Sequence, residues 1–271
     1  MRSGGRRAAE GEGAAARHRG LVAGARWPVP GAACAPGTGS LVLVIGASGG
    51  VGASTMACVL AAELAADGSR VGLVDLDPLS GGLDVLLGVE TRAGARWSEL
   101  GDVRGDIAAD DLDDVLLPWR GVEVLSAGRH HTVHSPAAVA SVLTAMITRN
   151  DHVVVDLPAR GLAGISGAGP LRAPDHVVLL VSQDVRGVAG ALAIRHQVPS
   201  DRAYLVLRAR PDPVVAPAEA AQLLDLRLLA TLPRDRGVPG AVDRGLGPLP
   251  PRRSRLARAV RSVAVQVSGR G

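Results

Sequence analysis

Lysine is absent from the 271-residue sequence, so all 30 basic residues are arginine. A GC-rich genome that avoids lysine codons accounts for this without any functional pressure. The chemical consequence is the same whatever the cause: no step that needs a side-chain amine can run here. Phenylalanine is also missing, and the aromatics reduce to Tyr204 and three tryptophans. A core must then be built from Val, Leu, Ile and Ala, which suits a parallel sheet covered on both faces. The two cysteines, Cys34 and Cys58, lack metal-type spacing, and a reduced cytoplasmic thiol pair is the expectation. No apolar run approaches the ~20 residues of a spanning helix. The early arginines precede no continuous apolar stretch of the signal-peptide kind.

Hydrophobic residues make up 47% of the chain, enough at this length for one sizeable α/β domain with a buried sheet. Charge is segregated. Residues 1–40 carry +4 and residues 252–271 carry +6, while the whole chain is only +4, which leaves −6 for residues 41–251. Basic ends around an acidic body fit contact with nucleic acid or an anionic lipid surface, and fit solvated ends that aid solubility equally well. The first 40 residues, rich in Gly, Ala, Arg and Pro, read as a disordered tail or linker. The domain is expected over 41–271.

From residue 41 onward short apolar runs alternate with helical patterns. Strands are expected at 41–45, 70–74, 122–125, 152–156, 176–181, 203–207 and 228–232. Helices are expected at 55–66, 136–148, 186–197, 217–224 and 252–267. Such alternation predicts right-handed βαβ units and a doubly wound, mostly parallel sheet with helices on both faces. Ligands in these sheets sit beyond the carboxyl ends of the strands. The residues just after each strand are therefore the candidates for function.

The first strand runs into Gly46-Ala47-Ser48-Gly49-Gly50-Val51-Gly52-Ala53-Ser54-Thr55 and then a helix. Strand, glycine loop and helix make a phosphate-binding arrangement: glycines let N–H groups approach an anion, and the helix N-terminus adds partial positive charge. Gly46, Gly50 and Gly52 resemble the nucleotide loop of short-chain dehydrogenases, with Asp75 or Asp77 on a ribose hydroxyl. The Tyr-x-x-x-Lys pair of those enzymes is impossible without lysine, so only dinucleotide binding survives from that alternative. Ser48 to Thr55 resembles instead the deviant Walker A motif of MinD/ParA proteins, Lys-Gly-Gly-x-Gly-Lys followed by Ser/Thr. The glycines, hydroxyls and spacing match; Ser48 and Ala53 stand where the family has its two lysines.

Later segments favour the second resemblance. Val74-Asp75-Leu76-Asp77-Pro78 followed by Leu83-Asp84 and Gly88 is similar to the MinD-type V-D-x-D segment. Val154-Val155-Asp156-Leu157-Pro158-Ala159 is similar to the family's Walker B and switch region. Ser182-Gln183-Asp184 falls where the family has a polar turn, and Leu228–Pro233, Asp235, Gly245 and the last helix follow its C-terminal pattern. The resemblance covers about residues 41–267. The degenerate Gly-Gly-Val-Gly-Ala-Ser-Thr loop looks like the CpaE/TadZ-like branch, described as septum-site-determining or pilus and secretion localisation proteins. Many of that branch carry an N-terminal receiver-like domain, for which 40 polar residues are too few.

The resemblance implies ATP or ADP with Mg²⁺ as cofactors and a homodimer, with a pilus or secretion ATPase or division proteins as partners. It also implies residue roles. Amides of Gly49, Gly50, Val51, Gly52, Ala53 and Ser54 would cradle the β-phosphate, with Thr55 near the α-phosphate. Ser54 and Asp156 would hold Mg²⁺, the latter through water, and Asp77 would orient the attacking water. Without the lysines, weak or absent hydrolysis with nucleotide binding retained is expected. Arg160 is either a substitute cation or a surface arginine. Leu256, Val260, Val263 and Val267 give the last helix an apolar stripe among arginines, for membrane contact or for packing on the sheet.

Overall fold

In a computed structural model, the chain is described over residues 39–100, 105–128, 135–162, 169–199 and 201–269. Nearly all of the expected tail, including Cys34, lies outside these residues; the first strand opens at Ser40, one residue before its expected start. Eight strands form one sheet: β1 Ser40–Gly46, β2 Val71–Asp75, β3 Leu117–Trp119, β4 Val122–Leu125, β5 His152–Pro158, β6 His176–Ser182, β7 Ala203–Arg208 and β8 Arg227–Leu232. Their spatial order is β3-β4-β2-β5-β1-β6-β7-β8. Seven are parallel, and β3 runs antiparallel to β4 at the edge. The seven expected strands are all present. β3 is not among the expected strands: it is three residues long, at the end of the run Val115-Leu116-Leu117-Pro118-Trp119, and carries Pro118, which only an edge strand tolerates.

The helices are α1 Ala53–Ala66, α2 Leu83–Leu87, α3 Trp97–Leu100, α4 Pro136–Arg149, α5 Val185–Ile194, α6 Pro217–Leu224, α7 Gly237–Val242 and α8 Arg255–Val267. Strand side chains alternate between two cores. Leu41, Leu43 and Ile45 of β1 point into one, with residues of α4, α5 and α6. Val42 and Val44 point into the other, with residues of α1 and α8. Burial on both sides makes each central strand read as an unbroken apolar run. Local signals start two of the helices where they start. Ser135 Oγ accepts from the Ala138 amide at 3.1 Å with Pro136 as the first helical residue, and Ser254 Oγ accepts from Ala257 at 3.0 Å. Both are favourable N-caps. The cap at Ser254 starts α8 three residues later than the periodicity suggests.

The apolar stripe of α8 is spent inside the protein. Leu256, Val260, Val263 and Val267 are buried, and the helix packs on α1 and β8. Arg261 Nε reaches Glu63 Oε2 of α1 at 3.2 Å. The membrane-contact alternative for that stripe is therefore corrected: those side chains are committed to the core. Among the described residues no helix is long and apolar enough to cross a membrane.

Candidate functional site

β1 sits between β5 and β6 in the sheet, with β2 beyond β5. The register sets Gly46 beside Pro158 and Asp75 beside Asp156. The glycine loop after β1 and the acidic ends of β2 and β5 thus emerge at one edge. They line a cleft of about 750 Å³ whose walls include residues 46–55, Asp77, Gly82, Asp156 and Arg160.

The loop is shaped by its glycines. Gly50 (φ +74°) and Gly52 (φ +100°) occupy the left-handed region that disfavours a side chain. The Ala47 amide donates to Leu180 O of β6 at 2.9 Å, which pins the loop base to the sheet. Gly52 caps α1 without any side-chain acceptor, and the first turn holds no acid. The Met56 amide donates to Gly52 O at 2.9 Å, so the amides of Ala53, Ser54 and Thr55 precede the helical ladder and lie on the cleft wall. Three other helices fill that position with Ser135, Asp184 or Ser254; Gly52 has no side chain to do so, and an exposed helix start of this kind suits an anion. Gly52→Ala is expected to lower stability by about 1–2 kcal/mol, because alanine is strained at this φ. Gly49 has an ordinary φ and open space where a methyl would go, so Gly49→Ala is expected to leave the thermal midpoint within about 2 °C of wild type. Thermal denaturation of the two variants checks both.

The three aspartates behave differently. Asp75 is fully buried. Its Oδ1 accepts from the Asp77 amide at 3.0 Å, and its Oδ2 from the amides of Leu83 at 3.0 Å and Ala127 at 3.2 Å. Burial pushes its pKa up to about 6 against the pull of those amides. It is a tie between three segments, which leaves the ribose-hydroxyl alternative with Asp77 alone. Asp77 is on the cleft wall, and its Oδ1 lies 3.7 Å from Arg160 Nη2. Asp156 is also buried, yet its Oδ2 has no hydrogen-bond partner. Burial raises its pKa to about 7, against a hydrogen bond from Ser54 and with help from Asp75 and Asp77. An orphaned carboxylate oxygen beside a serine hydroxyl at this cleft fits a hard cation. Among the described residues no group of three or more His, Cys, Asp or Glu is arranged to hold a metal.

Asp184 is not in the cleft. It caps α5, accepting from the Gly187 amide at 2.7 Å and the Ser182 hydroxyl at 2.8 Å; these bonds hold its pKa below the usual value. Arg160 is exposed apart from its contact with Asp77. Sequence reasoning missed several residues that organise the site. Trp97 Nε1 donates to Asp75 O at 2.6 Å. Asp84 is buried between the Ser126 hydroxyl at 3.0 Å and Arg96 Nε at 3.2 Å. Arg208 and Arg234 meet the loop from its other side, in a cleft of about 210 Å³. These partners are 12 to nearly 190 residues apart in the chain, and no local spacing could have paired them.

Fold and loop together resemble those of P-loop proteins of the MinD/ParA class. A family model, ParA, described as NUBPL iron-transfer P-loop NTPase, matches residues 38–128. An uncharacterised protein of Mycobacterium tuberculosis is 37% identical over 227 residues, covering 83% of this chain and 63% of its own length. The chain thus spans a little under two thirds of that relative. The septum site-determining protein MinD of Thermotoga maritima is 24% identical over 247 residues, covering 86% of this chain and 89% of its own. The structure of MinD from Pyrococcus horikoshii, solved with Mg-ADP, superposes with a TM-score of 0.65 at 20% identity, covering 84% of this chain and 95% of that one. The chain is thus similar to the ParA family model over residues 38–128 and shares the fold of the solved MinD structure.

Proposed function

We propose that this chain binds an adenosine nucleotide with Mg²⁺ on the loop 49–55 and acts as a nucleotide-dependent positioning protein that hydrolyses ATP weakly or not at all. The observation that carries the reading is the uncapped start of α1, whose free amides share a cleft with the unpartnered Oδ2 of Asp156. Amides of residues 49–54 hold the β-phosphate, and the Thr55 amide and hydroxyl lie toward the α-phosphate. Ser54 and Asp156 hold the metal side. Mg²⁺ held there would supply charge neutralisation to the phosphates. Asp77 is placed to orient water, though its pairing with Arg160 engages it in the free protein.

Weak hydrolysis follows from the missing ammonium groups. A preorganised cation at the transferring phosphate is worth of order 10²–10³ in rate, and the cation on this wall, Arg160, faces a carboxylate. A homodimer, the CpaE/TadZ-like branch and a role in septum-site determination or pilus and secretion localisation rest on the resemblance of the degenerate loop. Calorimetry tests the core of the reading. ADP and ATP should bind in Mg²⁺ at least tenfold more tightly than in EDTA, and NAD should not bind. No affinity for either nucleotide at millimolar concentration, or affinity indifferent to Mg²⁺, would overturn it.

A further inference from the structure

Another cavity, of about 540 Å³, lies at the opposite edge of the sheet from the glycine loop. It is bounded by the amino ends of β1, β5 and β6, by Ile147 in the last turn of α4, and by Val267 and Ser268 at the end of α8. The strand register gathers its polar groups. Ser40 stands beside His152, and His176 beside Val42, two residues further along β1. Side chains alternate along a strand, and Val42, Val154 and Val178 belong to the core shared with α1 and α8. His152, Ser40 and His176 therefore present the same face on three adjacent strands.

The wall is rich in acceptors. Among the described residues lining it, Asp175 carries the only formal charge. Its Oδ2 accepts from the Leu41 amide at 2.8 Å, which fixes the carboxylate. Ser40 Oγ and His176 Nδ1 are buried atoms without a hydrogen-bond partner. Burial lowers the His176 pKa, against Asp175 and with Arg202, so the ring is neutral at neutral pH and one of its nitrogens is an acceptor. Arg202 itself is off the wall and engaged, with Asp201 Oδ2 at 3.4 Å and Pro174 O at 3.3 Å. The last turn of α8 holds no basic residue to offset the negative end of its dipole. Leu41, Ile147, Pro170 and Val267 make much of the remaining surface apolar. A planar, weakly hydrated cation on an aliphatic stem satisfies both halves of such a wall, and an ammonium gives up more hydration to enter it.

We propose that this cavity is a binding site for an arginine-like cation, its guanidinium group held by Asp175, His176 and Ser40 and its stem lying against Ile147, Pro170 and Val267. The site is separate from the nucleotide cleft and does not rest on the nucleotide reading. Two sources carry the chemistry: a free arginine derivative, and an arginine side chain such as Arg2, Arg6, Arg7, Arg17, Arg19 or Arg26 of this chain.

The probe is L-argininamide, which has no carboxylate, titrated into the full chain in calorimetry. Saturable binding is expected, about tenfold or more tighter than that of L-lysinamide. Asp175→Asn keeps an oxygen for the Leu41 amide and should lose about tenfold or more in affinity. His176→Phe keeps a ring beside Tyr204 and should lose about fivefold. Asp212→Asn, which neutralises an exposed acid off this wall, should bind as wild type does. Binding to wild type and to a variant with those six arginines changed to glutamine alike assigns the site to a free ligand. Binding to the six-fold variant alone assigns it to the chain's own arginines. Binding to neither overturns the proposal. So does equal affinity for L-lysinamide, or wild-type affinity in both Asp175→Asn and His176→Phe.

Discussion

Asp156→Asn should make the free protein more stable at pH 8 while removing most of its Mg²⁺-dependent nucleotide affinity. The two effects share one cause. Asp156 is buried with an unpartnered Oδ2, and its pKa rises from 3.8 to about 7. A carboxyl whose folded pKa is raised binds its proton more tightly in the folded state. Its favourable contribution is therefore complete below pH ~4 and is lost as pH climbs through about 7. At pH 8 the wild-type chain carries a desolvated charge whose cost is at most about 4 kcal/mol, from ~1.4 kcal/mol per tenfold in proton affinity. Asparagine is neutral throughout, so the difference in thermal midpoint between variant and wild type should widen from pH 5 to pH 8. Magnesium reverses the order: with Mg-ADP the wild type gains stability that the variant does not. A loss of about 100-fold in Mg²⁺-dependent affinity is expected. A variant no more stable than wild type at pH 8, or one that still binds Mg-ADP as tightly, would show that this carboxylate is structural.

The framework of the site was legible because parallel strands announce themselves. Runs such as Val153-Val154-Val155 end in an acid, and in a doubly wound sheet such an acid stands at the ligand edge. Asp156 and the loop 46–55 could be placed on that logic before any contact was known. The roles of the acids were harder to read. Asp75 and Asp77 are two residues apart on the same strand end, and only tertiary packing separates a buried tie from a cleft residue: Asp75 faces the amides of Leu83 and Ala127, while Asp77 turns to Arg160. Asp84 reads in sequence as one letter of a motif, yet its job is to hold Ser126 and Arg96. The stripe on α8 had the same ambiguity, because an apolar face suits a lipid surface and a sheet equally well until neighbours are known. Arg208 and Arg234 could not be found by spacing at all, since adjacency of β7 and β8 alone brings them to the loop.

A cation restored at the first helical position should convert the protein into a faster ATPase. Ala53 opens α1 and lies on the wall of the larger cleft, where the resemblance to MinD/ParA proteins has its second lysine. In Ala53→Lys the ammonium group starts at the N-terminal end of a helix, which costs the free protein roughly 0.3–1 kcal/mol through the helix dipole. The variant should therefore melt slightly lower than wild type without ligand. Once ATP and Mg²⁺ are present the same charge faces the β- and γ-phosphates, and the developing charge of the transition state is met by a fixed cation. The expected gain in phosphate release is of order 10²–10³, and it should vanish in the Ala53→Lys, Asp77→Ala double variant if Asp77 orients the water. ATP bound by Ala53→Lys with no rise in phosphate release would mean that the rate is limited elsewhere, with the Arg160–Asp77 contact as the next element to break. Arg160→Ala in the same background separates the cases, because freeing Asp77 raises the rate only where that contact restrains it.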